Sequence, residues 1–224
     1  MSYSDKSVPK HLCIRPLTVY DAAQCMALEE EAFPEEERIT SAKLDYRLSV
    51  CPELCSGLFF REFEPQTESE EGDDDVREYR PPARSTIKKE TLIGQILATK
   101  VYDDAITERS MEVPKLTSEL LPDPTVVDND KIGHVETSRV IGVHSVIISS
   151  KYRGLKLGSL LMKDYIQKLS QQDVGDKIVL IAHDYLVPFY QSLGFENRGE
   201  SKCRFAGEVW FDLAITLSHD EDDE

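Results

Sequence analysis

The sequence predicts one mixed α/β domain, a mostly antiparallel sheet covered by helices on both faces. Two patterns and a size argument carry this. In the first half, the strand-like runs "SGLFFRE" (56–62) and "TLIGQILATKVY" (91–102) flank a polar stretch, as the arms of a hairpin would. In the second half strands and helices alternate, which favours a sheet with both faces covered. A chain of 224 residues, 40% of them hydrophobic, suffices for one sizeable core with embellishments.

Residues 11–17, "HLCIRPL", alternate as a first strand. Thr18 followed by Asp21 has capping-box spacing. The helix it opens offers Ala22, Cys25, Met26, Leu28 and Phe33 for burial before Pro34 stops it. A second helix covers "SAKLDYRLSV" (41–50), and the hairpin arms follow. "RVIGVHSVII" (139–148) is a strand, and "SKYRGLKLGS" (150–159) is a glycine-containing turn. "LLMKDYIQKL" (160–169) is an amphipathic helix with Leu160, Leu161, Tyr165, Ile166 and Leu169 on or near one face. "KIVLIAH" (177–183) is a strand, "LVPFYQSLGF" (186–195) opens as a short helix, and "EVWFDLAI" (208–215) closes as a strand.

Between the hairpin arms, residues 63–90 combine an acidic run, the adjacent Pro81 and Pro82, and few apolar side chains. Such a stretch cannot offset the entropy of ordering, so a disordered insertion is expected there. Residues 1–10 are expected to be disordered, 113–137 to form an irregular loop, and 217–224 to be a solvated acidic tail. That leaves 11–216 as the single domain.

A net charge of −16 argues against a nucleic-acid binder and against an anionic membrane surface, and suits a cationic substrate. Neither a secretory h-region nor a run of membrane-spanning length is visible. Cys13, Cys25, Cys51, Cys55 and Cys203 are odd in number and form no CxxC pair, so reduced thiols and no metal are expected. The expectation is a cytoplasmic, monomeric protein that acts on a small molecule.

A strand entering a glycine-containing turn and then a helix is a physical anion site, because the first helical N–H groups are unpaired and the macrodipole is positive there. In "RGLKLGSLL", Gly154 and Gly158 permit close approach, and Arg153 and Lys156 add charge. It is neither a P-loop nor a dinucleotide fingerprint. The local pattern alone leaves an ordinary strand-to-helix connection equally open. In the same way, Tyr190 within "VPFY" reads on its own as a packing residue.

Four stretches taken together carry more. "IRPLTVYDAAQCMALEEEAF", "CPELCSGLF", "VHSVIISSKYRGLKLGSLL" and "LVPFYQSLGF" resemble, in order, the GNAT superfamily of N-acetyltransferases. Within it the chain is similar to the arylalkylamine (serotonin) branch, and most of all to fungal polyamine N-acetyltransferases. The family motif R/Q-x-x-G-x-G/A is matched by Arg153-Gly154-Leu155-Lys156-Leu157-Gly158, with Lys156 where its first glycine is expected. The resemblance covers 11–62, 90–102 and 138–214. It implies a strand, two helices, three antiparallel strands, helix, strand, helix and two closing strands. It also implies that the fourth and fifth strands splay apart to admit the pantetheine arm of acetyl-CoA. Val146, Ile147 and Ile148 would offer it main-chain groups, and Gly154 through Ser159 would hold the pyrophosphate.

Acetyl transfer to an amine needs a neutral nucleophile, a polarised thioester carbonyl and a proton for the departing thiolate. The resemblance implies Tyr190 as the general acid beside the CoA sulfur, with Pro188 and Phe189 as turn and packing residues. It implies His144 as a base, which by itself would read as a core histidine. The branch carries two histidines spaced i and i+2 here, and this chain has Gly142 at the first position. Glu31, Glu35, Glu36 and Glu37 are alternative bases or cation anchors, or a solvated acidic face. Phe33, Glu35, Glu36 and Glu37 are assigned to the substrate side. Ser145 and Asp184 are expected to make strand-end or capping hydrogen bonds. The resulting expectation is acetyl transfer from acetyl-CoA to a polyamine (spermine, spermidine, putrescine) or an arylalkylamine. The alternatives are a protein lysine or N-terminal acetyltransferase and a catalytically silent acyl-CoA-binding module.

Overall fold

The computed structural model describes residues 7–64, 86–119 and 121–218. Strand β1 (Leu12–Pro16) leads into the predicted cap: the Asp21 carboxylate accepts from the Thr18 N–H at 2.9 Å and from its hydroxyl at 3.0 Å. One 3-10 turn then opens α1 (Ala22–Ala32). Helix α2 (Ser41–Val50) is capped by Thr40, whose hydroxyl accepts from the Lys43 N–H at 3.3 Å. The hairpin is β2 (Ser56–Phe63) and β3 (Ile87–Lys100). Then come β4 (Val140–Ile148), α3 (Leu157–Gln172), β5 (Lys177–Ala182), α4 (Val187–Gln191), β6 (Glu196–Glu200) and β7 (Phe211–Thr216). The sheet runs β1-β2-β3-β4-β5-β7-β6, antiparallel throughout except for β4 beside β5. This is the predicted fold class.

Four boundaries differ from the sequence reading. The insertion is shorter at both ends than 63–90, because Phe63 pairs with Ile87 and Arg61 Nε donates to Glu90 at 2.8 Å. Its middle, 65–85, lies outside the described residues, as do the termini 1–6 and 219–224. Leu160 is 47% exposed, since α3 starts earlier and buries Leu157, Leu161, Tyr165 and Leu169, a stripe of four-residue spacing. The edge strand β6 was not anticipated from pattern, because its polar, mostly exposed "ENRGE" lacks alternation. Finally, β7 begins at Phe211, which releases Trp210 from the ladder. In the 113–137 region the Asn129 side chain makes bonds of 2.8 Å to the Lys115 N–H and carbonyl.

The core has two layers. On one face α3 buries Leu161, Met162 and Tyr165 against Ile96, Ile141 and Ile178, and the Tyr165 hydroxyl donates to the Leu54 carbonyl at 2.8 Å. On the other, α1 and α2 bury Cys25, Leu28 and Leu44 against Phe59, Leu97 and Ile147. Each Leu, Ile, Met or Phe among them contributes about 1.5–3 kcal/mol by burial. All five cysteines are unpaired.

Two backbone features position the site. β4 pairs with β5 only from Val140 to Val143, opposite Lys177 to Leu180. Beyond that point β4 stays with β3 as far as Ile148, and β5 stays with β7 as far as Ala182, so the sheet parts between them. The parting coincides with a β-bulge: Val143 faces Ala98 and Ser145 faces Leu97, which leaves His144 as the extra residue. Bulges re-aim side chains, and they do so often beside active sites.

Candidate active site

Where β4 and β5 part, two cavities of about 510 and 350 Å³ lie side by side, sharing Val146, Leu186 and Tyr190 as a common wall.

The larger is built from main chain and a helix end. Val146 and Ile148 line it from β4, and Arg153, Gly154, Lys156, Leu157, Gly158 and Ser159 line it from the turn into α3. Ile147 points to the opposite face and Leu155 packs on the core, so these two predicted residues have only main chain to offer. Lys156 has φ 59°, the left-handed conformation a glycine would take freely, at a cost of roughly 1–2 kcal/mol for other residues. The lysine therefore keeps the glycine-like backbone and lines the cavity. Leu160 is the first amide to bond back, to the Lys156 carbonyl at 3.1 Å, so the amides before it are free of helical partners. Glu31, a candidate base, instead ties α1 to this turn. Its carboxylate accepts from the Ser150 amide and from the Ser149 hydroxyl at 3.2 Å, and the bonds from Ser150 above all hold it below the usual carboxylate range.

The smaller cavity is built from side chains of several separate segments. Tyr190, only 6% exposed, packs edge-on against Phe189 and Phe195 at 5.0 and 5.6 Å. Burial pushes its hydroxyl well above the usual phenol range, so it stays protonated. His144 lines the cavity, yet its Nε2 lies 2.8 Å from Thr99 Oγ1 and its Nδ1 is buried with no partner. Burial, then the cations Arg47 and Lys43, push it well below the ordinary histidine range and keep it neutral. A Cβ on Gly142 would lie 2.6 Å from Val101 and 2.8 Å from Ile106, so those two side chains occupy the space a first histidine would need.

The sequence reading missed Glu29. It sits on α1, 1% exposed, and its Oε1 accepts from Gln95 Nε2 at 2.8 Å and from Ser145 Oγ at 2.5 Å. Ser145 in turn lines the smaller cavity. Burial raises the Glu29 carboxyl above its usual value, against the opposing bonds from Ser145, Ile39 and Gln95. A signal was available: Glu29 lies four residues after Cys25, on the buried stripe of α1, where a carboxylate is costly without a purpose.

On the substrate side, Phe33 and Glu37 line the cavity, whereas Glu35 and Glu36 are exposed and do not. Asp184 bonds only locally, accepting from the Tyr185 N–H at 2.7 Å. His183, Tyr185, Phe205 and Trp210, none of them anticipated, complete the wall. His183 stacks on Trp210 at 4.1 Å and on Tyr185 at 5.5 Å, and its Nε2 lies 3.4 Å from Glu37 Oε2.

Residues 86–217, more than half of the chain, match the family described as acetyltransferase (GNAT) domain. The chain belongs to the GNAT acetyltransferases. It is 23% identical over 206 residues to serotonin N-acetyltransferase of Mesocricetus auratus, covering 91% of this chain and 76% of the relative. The Macaca mulatta protein of that name is 24% identical over 188 residues, covering 83% and 69%. Among solved structures, the loading GNATL domain of CurA from Lyngbya majuscula aligns with TM-score 0.61 at 13% identity, covering 93% of this chain and 98% of that one. Arabidopsis thaliana NAA60 in complex with acetyl-CoA aligns with TM-score 0.55 at 13% identity, covering 92% and 99%. At such identities the structures speak for the GNAT fold, a parted mixed sheet with helices on both faces. Among the described residues no His, Cys, Asp or Glu group is arranged to hold a metal, and no helix is long and apolar enough to cross a membrane.

Proposed function

We propose that this GNAT domain transfers the acetyl group of acetyl-CoA to the primary amine of a small polyamine or arylalkylamine, by direct attack in a ternary complex. The observation that carries this reading is Tyr190, a buried and protonated phenol in the wall shared by the two cavities. Acetyl-CoA suits the larger cavity. Its pantetheine arm would pair with the β4 main chain from Val146 to Ile148, in the manner of an added strand. Its pyrophosphate would sit at the N-terminus of α3, with Arg153 and Lys156 adding charge.

Attack forms the C–N bond and breaks the C–S bond. Tyr190 protonates the departing thiolate. The amine proton passes through the Ser145 hydroxyl to Glu29, the carboxylate that Ser145 already contacts. His144 serves this step less well than the resemblance implied, because Thr99 engages one nitrogen and the other is sealed. A small amine fits the site better than an extended peptide. The loop segments 35–37 and 205–207 approach each other, their Glu37 and Phe205 both line the smaller cavity, and Glu37 lies 3.4 Å from His183 on the same wall.

The test is release of free CoA thiol by purified protein with putrescine, spermidine, spermine, tryptamine, phenethylamine and a lysine-containing peptide. Turnover with small amines and none with the peptide is expected. Turnover confined to the peptide would overturn the substrate class, and tight CoA binding without any turnover would overturn the catalytic reading.

A further inference from the structure

Glu37 is the only carboxylate lining the smaller cavity among the described residues. Its side chain is 12% exposed, and its 3.4 Å approach to His183 is longer than an ordinary N–H···O bond of about 2.9–3.0 Å. The other oxygen, Oε1, accepts no hydrogen bond from a described residue and is not sealed in the interior. The His183 ring is stacked on Trp210 at 4.1 Å and on Tyr185 at 5.5 Å, contacts it would give up by turning toward Glu37. The Trp210 indole N–H is used already, donating to the Phe205 carbonyl at 2.9 Å. The wall around Glu37 therefore combines aromatic surface with a carboxylate one of whose oxygens lacks a partner among the described residues, although Arg38, Lys43 and Arg47 line a small adjoining cavity of about 40 Å³ with it.

Physical chemistry limits what enters such a space. An alkyl or unsubstituted aryl end would strip water from the carboxylate and give nothing back. An ammonium would pair with Oε1 and lie against the aromatic wall. We propose that Glu37 anchors a second ammonium and so selects α,ω-diamines over monoamines of equal length, an inference that rests on the amine acetyltransferase reading above. One carboxylate answers one further charge; the additional ammonium groups of longer polyamines meet no second carboxylate among the described residues of the wall.

If Glu37 held the reacting amine instead, monoamines and diamines would depend on it equally. The experiment therefore compares kcat/KM for 1,4-diaminobutane and pentylamine, read by CoA thiol release, in wild type and Glu37→Gln, with CoA binding measured to show that the variant is folded. Wild type is expected to prefer the diamine by at least about tenfold, and the preference should fall to within about threefold in the variant. Equal losses for both amines in Glu37→Gln, or no preference in wild type, would overturn the inference and leave the proposed function standing. Absence of turnover with every amine would overturn the proposed function, and this inference with it.

Discussion

The two cavities flanking Tyr190 are constructed in different ways. The larger uses main chain: a parted strand, a turn in glycine-like conformations and the free amides of α3. The smaller uses side chains from α1, the 34–37 loop, β4, β5, α4 and the 205–210 loop. A main-chain site tolerates a lysine where a glycine is expected, because φ can be kept at a modest cost. A side-chain site changes its chemistry with one residue, as at Gly142, where Val101 and Ile106 leave no room for the histidine that the resemblance would place there. On the proposed reading, the contrast makes binding of acetyl-CoA and choice of the amine separately adjustable in this domain.

Substitutions can sharpen that contrast. The largest effect short of the shared tyrosine is expected from Glu29→Gln, about 10²-fold in kcat/KM, with CoA affinity kept. The sign with pH follows from the raised carboxyl: only the ionised form accepts a proton, so wild-type kcat/KM rises with pH through that raised value. Glu29→Gln should lose this acid limb in a pH profile, a change a merely structural role would not produce. Next is Gly142→His. Overlap with Val101 and Ile106 should cost about 1–3 kcal/mol in a denaturant titration and leave kcat/KM no higher than in wild type. The smallest is Lys156→Gly. Relief of the left-handed lysine should raise Tm by a few degrees, while loss of a nearby charge should weaken CoA binding a few-fold.

The contrast also explains what could be read in advance. Most of the element order and the turn from Arg153 to Gly158 were legible because local pattern falls on contiguous residues, whereas the parting of the strands came only with the family resemblance and β6 not from pattern at all. The smaller cavity was not. Glu37 could be named but not told apart from Glu35 and Glu36, since only the 3-10 turn at 35–37 decides which of them faces inward. Trp210 and His183 come together through the β5–β7 pairing, which no spacing reveals. Glu29 was legible in principle, as a charge on the buried stripe of α1, and was passed over for its exposed neighbours.

The central claim is that the two cavities meet at one proton donor. It is tested most directly by Tyr190→Phe, which removes the hydroxyl and keeps the ring that packs on Phe189 and Phe195. CoA affinity should stay within about threefold of wild type, while kcat for thiol release falls at least about 10²-fold. Unchanged kcat with intact CoA binding would contradict the account.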